Sequence, residues 1–227
     1  MDHLLAIYQD YASAISLTLG LMPWESIDAA LQTLHEARIQ QRTVFVIGCG
    51  TSGTAAAHLA DELDTLTPTS ASEFPPFRVT SLIDSVPVAS SWGENRHCDS
   101  LTSWLIPRMR AGDVVIAISS HGTSFELVQA LRRARANGGF TIGLGSEHDR
   151  HLADEVELPV LVPNDSLDQI EDAHQIIIHI LIKALRRYHE RDLFNWKNKW
   201  RVVANKKCKP RAVVRPLVYV AALRRQK

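Results

Sequence analysis

The residues best suited to chemistry fall in three places along the 227-residue chain. His58 and Glu62 are four apart, so on a helix they share one face. An imidazole beside a carboxylate is a pair able to move protons near neutral pH. Just before them, Gly48, Gly50 and Gly53 interleave with Thr51, Ser52 and Thr54. Such a turn at the start of a helix presents backbone N–H groups and hydroxyls to an anion, which the helix dipole favours. A second small, hydroxyl-rich stretch follows at Ser119-Ser120-His121-Gly122-Thr123-Ser124. Further on, Asp168, Glu171, Gln175 and His179 recur at spacings of three or four and form one helical stripe. His174 lies on another azimuth. A histidine inside the Ile-rich run IIIHILI is costly without a partner. His179 therefore reads either as a core histidine bonded to a carbonyl or acid, or as a reactive group. His58 carries the same choice.

These groups need elements to hold them. Residues 44–47 are an apolar, mostly β-branched run that reads as a buried strand, and an alanine-rich helix follows the glycine turn. Residues 113–119, DVVIAIS, repeat the plan: a buried strand runs into the second hydroxyl-rich loop, then a helix over 125–136. Both loops then open at the carboxyl edge of one sheet, where open α/β sheets bind ligands. Two such loops hold a phosphate through hydroxyls and N–H groups without arginine. Further strands are expected over 78–83, 141–144 and 157–162, and a short helix over 101–109. Loops are expected over 64–77 and around 84–95. Asn164-Asp165-Ser166 should cap a long helix over 167–187. The alternation gives an α/β fold, a doubly wound parallel sheet flanked by helices.

Ahead of the first strand, 3–19 and 23–40 read as two amphipathic helices. They form an N-terminal helical arm, either a cap on the domain or a subunit-packing surface. The expected organisation is thus 1–42 as the arm, 43–192 as the α/β domain and 193–227 as a basic extension. The extension is set apart by charge. Residues 1–192 hold all 25 acids against 14 Lys and Arg, a net −11, whereas 193–227 holds 11 Lys and Arg and no acid. Its Trp196 and Trp200 among basic residues could suit RNA or anionic lipid, but it shows no recognisable nucleic-acid module, and Pro210 and Pro216 break any long helix. Nucleic acid is therefore not the expected partner. No apolar run reaches the ~18 residues of a membrane span. Three scattered cysteines, Cys49, Cys98 and Cys208, argue against a disulfide framework and for a reducing cytoplasm.

The order of these pieces resembles the SIS (sugar isomerase) family, and more narrowly the phosphoheptose isomerases, over about residues 7–187. In that family a glycine-x-glycine-x-serine turn is followed by a histidine and then a glutamate at the spacing of Ser52, His58 and Glu62. The second loop is similar to ISSHGTS at 118–124. The last helix resembles the run from Asp168 through Glu171 and His174 to His179-Ile180-Leu181-Ile182. The resemblance implies an SIS fold and an aldose–ketose isomerase that converts sedoheptulose 7-phosphate to an aldoheptose 7-phosphate through an enediol. It makes Glu62 and His179 the acid/base pair. It places Ser52, Gly53, Ser119, Ser120, His121, Ser124, Asp168, Glu171 and either Glu94 or Asn95 at the substrate, with Ser52, Ser119, Ser120 and Ser124 on the phosphate. It also implies a zinc ion held by His58, Glu62, Glu171 and His179, all competent ligands, and a homotetramer with its site between subunits.

Two positions depart from the family. Glu171 stands where the family has glutamine and adds a negative charge. His121 replaces a hydroxyl of the second loop. Both leave room for a different sugar phosphate. A non-catalytic sugar-phosphate-binding or regulatory module is the other reading, but such a module has no need of His58, Glu62 and His179 together.

Overall fold

A computed structural model describes the backbone of residues 2–66, 75–81, 100–120 and 124–203, and side chains within 4–66, 75–81, 101–120 and 124–187. Much of the two expected loops falls outside those residues, as do Glu94, His121, Trp196, Trp200, Pro210 and Pro216 in whole or in side chain. The chain forms two compact units, Met1–His189 and Glu190–Lys227. The first contains every site residue considered below.

Two helices come first, α1 (Asp2–Gly20) and α2 (Trp24–Ile39). The alternating unit then runs β1 (Thr43–Gly48), α3 (Thr51–Thr65) and β2 (Arg78–Ser81). Helix α4 (Ser100–Leu105) passes into a 3₁₀ turn, Ile106–Arg108, where Pro107 removes an N–H. There follow β3 (Val114–Ile118), α5 (Phe125–Ala136), β4 (Phe140–Ser146), α6 (Arg150–Glu155), β5 (Leu158–Val162) and α7 (Leu167–Val203). The five strands are all parallel, in the order β2-β1-β3-β4-β5.

Strand alternation sends side chains to two cores. Val44, Val46, Val114 and Ile116 face α2, α3 and α7, while Phe45, Ile47, Val115 and Ala117 face α4, α5 and α6. Helices therefore cover both faces, as an all-parallel sheet requires. The strand order reverses at β1, whose neighbours are β2 on one side and β3 on the other. The loops after β1 and β3 thus flank the switch point, where the crevice of a doubly wound sheet opens.

Two elements differ from expectation. Residues 150–155 form a helix, because the Asp149 carboxylate accepts the Leu152 N–H at 3.0 Å and Leu152 is buried against β4. Six residues are too few for an apolar period to show. The last helix runs sixteen residues past 187, since 188–203 contains neither Gly nor Pro to stop it. Its start is as expected: Asn164 Oδ1 accepts the Ser166 N–H at 2.7 Å.

Candidate functional site at the switch point

The first loop is built tight over the end of β1. Gly50 has φ +58° and ψ −130°, a region open to glycine. A Cβ on Gly48 would stand 2.5 Å from the carbonyl oxygen of Ser52. The backbone of α3 therefore starts almost in contact with the strand, and the Gly53 N–H bonds the Gly50 carbonyl at 3.0 Å. No side chain caps this helix.

The tight start brings the two loops together. Ser52 and Ser120, both buried, lie 3.0 Å apart through their hydroxyls, and the Ser120 N–H donates to Ser52 Oγ at 3.2 Å. Ser120 Oγ also donates to Glu171 Oε1 at 3.0 Å, and Thr51 Oγ1 donates to the same oxygen at 2.5 Å. Ser119 is buried alongside. Ser124 caps α5, its Oγ accepting the Leu127 N–H at 3.3 Å, with Cys49 Sγ at 3.8 Å.

Three contacts then link α3 to α7. Thr51 meets Glu171, His58 meets His179, and Glu62 meets Arg186. The contacts advance through 51, 58 and 62 on α3 and through 171, 179 and 186 on α7, so the two helices run side by side in the same direction. Each leaves the carboxyl edge of a parallel strand, which explains that direction. The His58 and His179 Nε2 atoms are 3.1 Å apart, with the rings edge to face at 88°. Glu62 Oε2 is 3.3 Å from Arg186 Nη2.

Asp168 is exposed in the first turn of α7. One turn on, Asp172 accepts the Tyr11 hydroxyl at 2.7 Å and pushes that phenol up to about 12, tying α1 to α7. His174 is buried beneath the stripe. Desolvation lowers its imidazole to about 4, against a backbone hydrogen bond to Gly145 that favours the charged form. Its Nε2 is buried without a partner.

Two ligands of one tetrahedral zinc sit about 3.3 Å apart when the bonds are 2.0–2.1 Å, so the His58–His179 pair has a spacing that fits a metal. The carboxylates are turned elsewhere, Glu171 to hydroxyls and Glu62 to Arg186. Among the described residues no three His, Cys, Asp or Glu side chains converge as a metal site. A groove of about 560 Å³ over α4 and α5, beside Ile106 and Phe125, is lined by none of these residues.

Sequence reasoning placed Glu62 and His179 on their helices and missed Arg186. The signal is faint: Arg186 lies seven residues beyond His179, two turns along the same stripe. Thr51 was legible as a loop hydroxyl but not as a partner of Glu171.

The SIS domain profile matches residues 8–146. A phosphoheptose isomerase of Geotalea daltonii is 30% identical over 162 residues, 71% of this chain and 83% of that protein. Solved phosphoheptose isomerases from Francisella tularensis and Neisseria gonorrhoeae share the fold, each with TM-score 0.69. The first is 20% identical, covering 81% of this chain and 96% of that one; the second is 18% identical, covering 82% and 98%.

Proposed function

The chain belongs to the SIS domain family, and from that premise we propose that it is a phosphosugar aldose–ketose isomerase, converting sedoheptulose 7-phosphate to D-glycero-D-manno-heptose 7-phosphate. The observation that carries this reading is the His58–His179 contact, with Glu62 one turn further along the helix that the serine cradle launches. Six residues of helix separate Ser52 from His58, about 9 Å of rise. An extended seven-carbon sugar phosphate covers that span, with its phosphate at Ser52, Ser119, Ser120 and Ser124 and its C1–C2 end at the histidines.

Ketose–aldose exchange takes a proton from C1, forms an enediol, and returns a proton to C2, while another proton passes between O1 and O2. Glu62 carries the carbon-bound proton and His179 serves the oxygens. Arg186 holds the Glu62 carboxylate on the shared face. Zinc is part of the proposal; His58, Glu62, Glu171 and His179 would hold it. When bound it supplies Lewis acidity toward the substrate oxygens.

The proposal extends to a cytoplasmic homotetramer. Leu4, Leu5 and Tyr8 on α1 are 55%, 54% and 64% exposed, a face that suits another subunit. His179 is exposed on its own protomer, which suits a site finished by a neighbour. The ligand is a small sugar phosphate, not a membrane or a nucleic acid; among the described residues no helix is long and apolar enough to cross a membrane. The test is conversion of sedoheptulose 7-phosphate by purified protein and its loss in Glu62→Gln and His179→Ala.

A further inference from the structure

The hydroxyl protons of Thr51, Ser52 and Ser120 run toward one carboxylate. A serine or threonine hydroxyl has a single proton to donate. Ser120 and Thr51 each donate theirs to Glu171 Oε1. Ser120 Oγ can then only accept from Ser52 Oγ across their 3.0 Å contact, while Ser52 Oγ accepts the Ser120 N–H. Two protons end on Glu171 directly, and the third is committed one step behind them.

Glu171 thus stands as the anion in the cradle. A carboxylate only accepts hydrogen bonds, and a phosphate oxyanion needs the same donors. The two negative groups repel when brought side by side. They cannot share Thr51 and Ser120 as these are now arranged.

We propose that Glu171 is an internal competitor for the substrate phosphate that closes the cradle in the ligand-free protein. The inference rests on the reading that these two loops hold the sugar's phosphate. For phosphate to seat, Glu171 leaves Thr51 and Ser120, and the freed hydroxyl protons turn to the phosphate oxygens. A sugar phosphate offsets that displacement with contacts at its far end. Inorganic phosphate has no far end and is held weakly. The displacement cost falls equally on both, and free phosphate, with no other contact to offset it, cannot hold the cradle open.

Calorimetric titration with inorganic phosphate tests this on the full chain. Glu171→Gln, which keeps the shape and removes the charge, should bind phosphate about tenfold more tightly than wild type. Glu171→Ala, which removes the acceptor as well, should tighten at least as much. Adding Ser52→Ala to Glu171→Gln should cancel the gain. Unchanged or weaker binding in both folded Glu171 variants, with phosphate still lost when Ser52 is removed, would overturn the competitor role and leave the cradle standing. No phosphate or sugar-phosphate binding by any variant would sink the cradle, and the competitor with it.

Discussion

His58 and His179 meet Nε2 to Nε2 at 3.1 Å, their ring centroids 5.2 Å apart, although 121 residues separate them. Between two neutral imidazoles one nitrogen must donate and the other accept, so the pair shares one proton. Replacing either partner ends that arrangement. His58→Ala and His179→Ala should each lower kcat/KM by about 10² or more. The double variant should fall little further than the worse single one, because residues acting as a unit are not additive. Steady-state kinetics on the three proteins checks this, and fully additive losses would show the histidines act independently.

Arg186 is the partner that Glu62 keeps. The pair is partly exposed, so its direct contribution to stability is small, about 0–1 kcal/mol. Its effect should appear in turnover, through the position of the carboxylate. Arg186→Met should lower kcat about tenfold with KM and melting temperature nearly unchanged. A large drop in melting temperature with normal kcat would assign Arg186 to the fold.

The fold was legible because its signals are local. The buried runs at 44–47 and 113–119, the glycine turn and the Asn164 cap each announce themselves within a few residues. His58 and Glu62 were legible by helical spacing alone. What stayed hidden depends on how two helices align. Nothing near Thr51 marks Glu171 as its partner, and nothing near Glu62 marks Arg186. Both follow from the parallel course of α3 and α7, which only the assembled sheet fixes. Helix α6 escaped for another reason, being shorter than two apolar periods.

His174 makes the fold sensitive to acid. In the unfolded chain its imidazole takes up a proton near 6.5; in the folded protein burial delays this to about 4. Above pH 6.5 both states are neutral and the contribution is fully present. As pH falls from 6.5 toward 4, the unfolded state gains a proton that the folded state lacks. Stability drops across that window by about 3 kcal/mol. Denaturant unfolding at pH 7 and 4.5 should show the loss, and His174→Gln should flatten it while lowering stability at pH 7. An equally steep acid loss in the variant would move the cause to other groups.

Gly48 admits no side chain. The Cβ of alanine would press on the Ser52 carbonyl, which is backbone and cannot swing aside. Gly48→Ala should cost about 1–3 kcal/mol or more and spread the two serine loops apart. Thermal unfolding and phosphate titration together report it. A variant with normal stability and phosphate binding would show that the loop tolerates a wider turn.

The apolar face of α1 is the proposed subunit contact. Leu4→Ser, Leu5→Ser and Tyr8→Ser combined should shift sedimentation from tetramer to smaller species. These side chains are already exposed on the protomer, so its intrinsic fold loses little. A wild-type monomer, or a variant that still forms tetramers, would remove this face from the assembly.

In the proposed reaction, the helix behind the first loop supplies half of the acid/base chemistry, through Glu62. The direct measurement is proton NMR of sedoheptulose 7-phosphate incubated with the purified full chain, with and without zinc. Wild type should give the anomeric signals of an aldoheptose 7-phosphate, and Glu62→Gln at equal folding should give none. No aldose from wild type in either condition, or undiminished conversion by Glu62→Gln, would contradict it.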